Sequence, residues 1–238
     1  MFTASRYLTM AAVLLVSASG RAHGVGVVLL DTSQAPLEFT SWNQGWWSTG
    51  TSNPSTRNSS PFLGTYFGQG TFSLNGTHRD FFTFRIPQLQ GNRVIAASLL
   101  QHRGVVSDTI ESEETIGLFD VTTDPAVLNH NEGSNPSVYA DIGTGISYGE
   151  FLIETSGTTE TLYEFALNAA AIADINAATG NYFSVGGNLL SDDGHDFIFG
   201  GAIHGPAELR LTIVPEPPAI VIAFVLIAIR FQSLKHCN

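Results

Sequence analysis

Apolar residues recur along this chain in short runs, many alternating with polar ones, and turn residues separate the runs. Alternation with period two marks a half-buried strand. The pattern predicts strands at 25–30, 37–42, 62–67, 70–74, 79–86, 94–101, 115–121, 137–142, 149–154, 160–167, 182–190, 196–203 and 207–213. Asn75-Gly76 is a tight hairpin-turn signal, and Gly143-Thr144-Gly145 marks another turn. Segments 51–61, 87–92 and 104–114 read as loops, the last of them acidic. Two stretches read as helical. A single turn at 125–129 has Asp124 or Thr123 as its cap. A clear helix at 168–179 starts at Asn168, keeps Ile172 and Ile175 on one face and stops at Gly180. Short strands with frequent turns, and no alternation of strands with helices, point to an all-β fold. The expected architecture is a single antiparallel β-sandwich, jelly-roll-like, with one short helix closing an end.

The two ends of the chain follow other patterns. Residues 1–22 combine Arg6, an apolar run at 8–16 and small residues at 17–20, the order of a secretory signal peptide. Cleavage after Ser19 or after Ala22 fits. Near the other end stand Val214-Pro215-Glu216-Pro217, an uncharged apolar run at 219–229, and then Arg230, Lys235 and His236. Proline fixes φ, removes a donor and pushes its predecessor to extended geometry. A rigid spacer outside regular structure is therefore expected from Val214 on. The chain divides into a signal peptide (1–22), a β-sandwich ectodomain (23–213) and a sorting tail with a transmembrane segment (214–238).

This tripartite tail resembles the PEP-CTERM sorting signal. The resemblance implies export, an intermediate anchored in the inner membrane with its basic end in the cytoplasm, and processing by an exosortase that reads Val214, Pro215, Glu216 and Pro217 ahead of Arg230. Delivery to the cell surface or the extracellular space would follow. The tail departs from the pattern in two ways. Its uninterrupted apolar run would span about 16 Å as a helix at ~1.5 Å per residue, against a bilayer core of roughly 30 Å. Its basic cluster is one Arg, one Lys and one His. A plain tail anchor is the other reading of the same residues.

The composition narrows the partners. Charged residues make up 13% of the 238, hydrophobic residues 43%, and the only lysine lies in the tail. Residues 23–213 hold 6 arginines against 20 acids, a formal charge of −14. Such a body repels nucleic acid and anionic lipid. The single cysteine, Cys237, excludes a disulfide framework within the body.

The body carries a further resemblance. Gly45-Trp46-Trp47, 79–84, 94–99, 117–121, 141–149, 166–176 and Leu209-Arg210-Leu211 occur in an order similar to a recurring ectodomain type among PEP-CTERM proteins. That implies an exported β-rich domain without an assigned molecular activity. A looser likeness to jelly rolls of the carbohydrate-binding-module kind rests on fold analogy. Together these imply a non-catalytic envelope or matrix protein that associates with extracellular polysaccharide.

Candidate chemistry is sparse. Gly145-Ile146-Ser147-Tyr148-Gly149 fits Gly-x-Ser-x-Gly, which offers a secreted serine hydrolase using Ser147 as the alternative function. A nucleophile elbow needs a helix after the serine, whereas 150–154 reads as a strand. Asp192, Asp193 and Asp196 around Gly194 suit a hard cation such as Ca²⁺, or simply an Asp-Gly turn. No other cofactor is expected. Glu111, Glu113 and Glu114 read as a solvated acidic loop. His195 and His204 lack a convincing third zinc ligand. Trp42 and Trp46 are the ligand-binding candidates, because an aromatic face can stack on a sugar. Alternation puts Trp47 inside and leaves Trp46 outside.

Overall fold

The alternation does produce strands, and they form two antiparallel sheets packed face to face, a sandwich-like all-β fold. The computed structural model describes residues 24–35, 37, 42–49, 69–72, 76–107, 111–130, 135–192, 196–200 and 205–216. The signal-peptide segment, the tail from Pro217 through Arg230 to the end, the strand expected at 62–67 and most of that at 37–42 lie outside the described residues.

In chain order the elements are β1 (Gly26–Asp31), β2 (Gln44–Ser48), β3 (Gln69–Phe72), β4 (Gly76–Arg85), β5 (Asn92–His102), β6 (Val105–Ser107) and β7 (Glu113–Asp120). Helices α1 (Pro125–His130) and α2 (Pro136–Ile142) follow, then β8 (Ser147–Glu154), β9 (Leu162–Ala166) and helix α3 (Ala169–Ala177). Strands β10 (Tyr182–Leu189), β11 (Phe197–Gly200) and β12 (Glu208–Pro215) complete the fold. One sheet has the order β1-β12-β5-β9. The other runs β6-β11-β3-β4-β10-β7-β8, with β2 also paired to β4.

The main core lies between the sheets. Leu30, Leu99, Phe165, Leu209 and Leu211 from the first sheet meet Phe82, Phe84, Ile116, Leu118 and Val185 from the second. The second sheet is covered on its other face too, because α1 and α2 bring Leu128, Val138 and Ile142 against Trp47 and Phe81. That extra layer changes the rule for β2. With both faces of the sheet covered, Trp46 (1% exposed) and Trp47 (3%) are both buried, on opposite sides.

Helix α3 closes an end of the sandwich, packing Ala171 and Ile175 into the main core. Asn168 caps it, its side chain accepting from the Ala170 and Ala171 N–H groups. Asn176 pins it to β5 by exchanging hydrogen bonds with Val94 N–H (2.8 Å) and Val94 C=O (3.0 Å). Asp124 caps α1, accepting from Ala126 N–H at 2.9 Å.

Three sequence expectations need correction. Residues 137–142, expected as a strand, form α2. Asn135 caps it and Pro136 occupies its first turn, a start signal that outweighs the β-branched residues. The acidic loop at 104–114 contains β6 and the first residues of β7. The spacer expected from Val214 begins later. Val214 and Pro215 continue β12, opposite Arg93 and Asn92 of β5, and the Glu216 N–H donates to Gly91 C=O at 2.8 Å. The pairing of β1 with β12 begins at Gly26 opposite Ile213, so among the described residues Pro215 has a partner strand on one side only, where a missing N–H is tolerated.

Among the described residues no helix is long and apolar enough to cross a membrane.

Candidate functional site

A concave site forms where four elements meet: the end of β7, the start of β8, α3 and the start of β10. It is a cleft of about 290 Å³ lined by Asp120, Ile146, Tyr148, Asp174, Tyr182 and Ser184 among others. Its shape begins with the turn before β8. Gly145 has φ +104, a conformation that side chains disfavour. A Cβ there would lie 2.2 Å from Asp120 Oδ1, so glycine also makes room for the carboxylate. Asp120 Oδ1 accepts the Ile146 N–H at 2.6 Å while the Asp120 N–H donates to Ile146 C=O at 3.0 Å. The side chain thus completes a ladder that the backbone leaves short.

The register between β7 and β8 shifts at this point, from Leu118 opposite Gly149 to Phe119 opposite Ser147. Tyr148 is the extra residue. Bulges of this kind re-aim a side chain, and the Tyr148 ring stacks on Phe183 with centroids 5.8 Å apart. Its hydroxyl donates to Asp174 Oδ2 at 2.7 Å. Burial first, then the Asp174 hydrogen bond and the charges of Asp174 and Asp120, push the Tyr148 hydroxyl far above its ordinary value. It therefore remains a donor. Asp120 and Asp174 each have one oxygen engaged in this way. Each keeps a second oxygen with no hydrogen-bond partner among the described residues. Tyr182 spends its hydroxyl on Ala35 C=O (3.0 Å), and the Arg85 guanidinium lies 5.0 Å from its ring centroid. Its ring rather than its hydroxyl is what remains for the cleft.

The wall beyond Asp120 is held by α2. Asp141 accepts from the backbone and the hydroxyl of both Thr122 and Thr123, at 2.6 to 3.0 Å. Desolvation raises its pKa, but the four hydrogen bonds outweigh that and hold the carboxyl below its ordinary value. Arg79 in turn donates to the Tyr139 and Ala140 carbonyls at 3.0 and 3.3 Å, satisfying the end of α2.

The residues singled out in the sequence fall elsewhere. Trp46 is buried between the sheets, edge-on to His78 at 4.9 Å, and offers no face to a sugar. Trp42 is half-buried and packed against the same core. Ser147 opens a strand rather than preceding a helix. Its Oγ accepts the Gly149 N–H at 3.3 Å, and no general base bonds to it among the described residues. Asp193, His195 and His204 lie outside the described residues.

Asp196 is brought together not with Asp192 but with Glu111 and Glu114, with one carboxylate oxygen from each within 4.8 Å of the others. Glu114 and Asp196 are each 1% exposed, so of the three residues read as a solvated loop Glu114 is interior, while Glu111 and Glu113 are exposed. Three carboxylates have the oxygen chemistry of a hard cation but fall short of the roughly 6–8 ligands of calcium. Of the sorting residues, Val214, Pro215 and Glu216 are described, and Pro217 and Arg230 are not.

Sequence reasoning passed over Asp120, which ends β7, Asp174, within α3, and Tyr182, which opens β10, because no binding motif surrounds them. The one available signal was Gly145, a turn glycine next to a serine that drew attention for another reason. No protein-family model matches the chain, and no curated protein matches it.

Proposed function

We propose that this chain is an exported, non-catalytic cell-envelope or extracellular-matrix protein, sorted by its C-terminal signal and associating with extracellular polysaccharide through a jelly-roll-like sandwich. The observation that carries the reading is the tail pattern: Val214-Pro215-Glu216-Pro217, an apolar run, then Arg230 and Lys235, in a chain led by Arg6 and its own apolar run. The partners are an exosortase and, through the tail, the inner membrane. The acidic, lysine-poor body favours neutral extracellular polymers and disfavours nucleic acid. Strand β12 ends at Pro215, so the last strand of the body runs directly into Glu216 of the motif.

Fractionation of a Gram-negative host that has an exosortase tests the reading. The tagged protein should reach the envelope and medium. Replacing Pro215, Glu216 and Pro217 by alanine should retain it in the inner membrane. Recovery in the cytoplasm alone would end the proposal.

A further inference from the structure

The cleft beside the turn before β8 has the makings of a ligand site, although neither of its carboxylates is among the binding candidates read from the sequence. We propose that it binds one hydroxyl-bearing ring of a neutral or amino sugar, held by the second oxygens of Asp120 and Asp174 and packed against the Tyr182 ring. The inference deepens the proposed polysaccharide association and rests on it for the source of the ligand.

Size sets the first limit. A cleft of about 290 Å³ lies at the lower edge of the roughly 300–1,000 Å³ usual for small-molecule sites. One ring fits and a long segment does not.

Donor chemistry sets the second. Ionised carboxylates only accept, so a matching ligand must present O–H or N–H donors. Hydrogen bonds to a charged acceptor are about twice as strong as neutral ones. Two carboxylates that each keep one engaged oxygen are also rigid. Asp174 is fixed by Tyr148 at 2.7 Å and Asp120 by Ile146 N–H at 2.6 Å, so little ordering cost remains on binding.

Charge sets the third. No arginine or lysine lines the cleft, and the body around it is strongly acidic. A uronate or a phosphate would meet the repulsion of Asp120 and Asp174 there, and the Arg85 guanidinium, 5.0 Å from the Tyr182 ring centroid, is not among the lining groups that would offset it. An aromatic ring with its hydroxyl already spent supplies an apolar wall for the C–H face of a sugar. Ser184 lies in the lining too, but its hydroxyl is paired with Thr83 at 2.8 Å and contributes less.

The test is titration of the purified ectodomain, residues 23–216 followed by the native Pro217, alongside the full chain in detergent. The probes are cellotetraose, chitosan tetramer and oligogalacturonate. Wild type should bind cellotetraose or the chitosan tetramer, and oligogalacturonate should not bind. Asp120→Asn with Asp174→Asn should weaken binding about tenfold or more, the scale of lost charged hydrogen bonds. Glu164→Gln, in the outer ion pair with Arg210, should bind as wild type. Should the double variant fail to fold, amide shift mapping on the wild-type protein replaces it, with Ile146 and Tyr182 as the expected responders. Absence of binding by all three probes, unchanged affinity in the double variant, shifts confined to other surfaces, or preference for oligogalacturonate would each overturn the site. Because the titrations use purified protein, their failure is independent of the fractionation result.

Discussion

Replacing Gly186 by alanine should destabilise the fold through a single backbone collision. Gly186 lies in the middle of β10, opposite Phe81 of β4 and Phe119 of β7, on the face covered by α2. A Cβ there would sit 2.0 Å from Ile142 O, 2.7 Å from its C and 2.9 Å from its Cα. All three atoms are backbone, so no side chain can swing away. Helix α2 must lift by about 1 Å to restore a tolerable 3.0 Å contact. Overpacking of this kind costs about 1–3 kcal/mol. The lift also loosens Val138 and Ile142, each worth about 1.5–3 kcal/mol when fully buried. Partial loss of that burial brings the expected total to about 3 kcal/mol. At ~2–4 °C per kcal/mol for a body of this size, Tm should fall by about 6–12 °C. Urea unfolding gives the free energy directly. Gly24→Ala is the control, since its Cβ would meet no atom within 4 Å. The same lift should move Asp141, and with it Thr122 and the cleft wall. A Gly186→Ala protein within ~0.5 kcal/mol of its parent would refute the close packing of α2 on β10.

Three further predictions concern pH and capping. Asp141 has a depressed folded pKa, so its contribution is full above the unfolded value of about 3.9 and is lost as pH falls through the folded value. Asp141→Ala should therefore flatten the acid limb of a stability-versus-pH curve, and an unchanged limb would contradict the four hydrogen bonds. Tyr148 has a raised pKa, so its contribution is full below about 10 and declines as pH rises beyond that. Tyr148→Phe should remove this alkaline decline, read by circular dichroism between neutral and strongly alkaline pH. Asn168→Ala removes the α3 cap and should cost about 1 kcal/mol; hydrogen exchange at Ala170 and Ala171 should quicken first.

The strands that sequence located well are those with one covered face or two strongly apolar ones. In the sheet built on β1, β5 and β12, strand β12 alternates visibly, with Leu209 and Leu211 inside between Glu208, Arg210 and Thr212, whereas β1 is legible as a short apolar run whose Val27 and Leu29 are exposed. Helix α3 was legible because Asn168, the alanines and Gly180 all agree. Helix α2 was not, because Val138, Tyr139 and Ile142 look β-like and the deciding signal is only Asn135-Pro136. Trp46 was misplaced because alternation shows only that Trp46 and Trp47 face opposite ways: Trp46 faces the core between the sheets and Trp47 faces the helices, whose cover nothing local in Gly45-Trp46-Trp47 announces. The cleft was illegible because Asp120 is far in sequence from Asp174 and Tyr182. A β-bulge and a turn glycine bring them together, and neither changes the hydrophobic pattern. The Pro-Glu-Pro element shows the opposite limit. Local rules gave the extended geometry of Val214 and Pro215 correctly but could not reveal that β5 had paired with them.

That pairing sharpens the central claim into one measurement, mass spectrometry of the C-terminus of the released extracellular protein. Backbone held in β12 and at Gly91 is shielded, so cleavage should fall after Glu216 and leave the strand whole. The predicted mature protein ends beyond Glu216 and lacks the apolar run at 219–229. A released form still ending in Cys237-Asn238, or one trimmed back inside β12, would contradict the account.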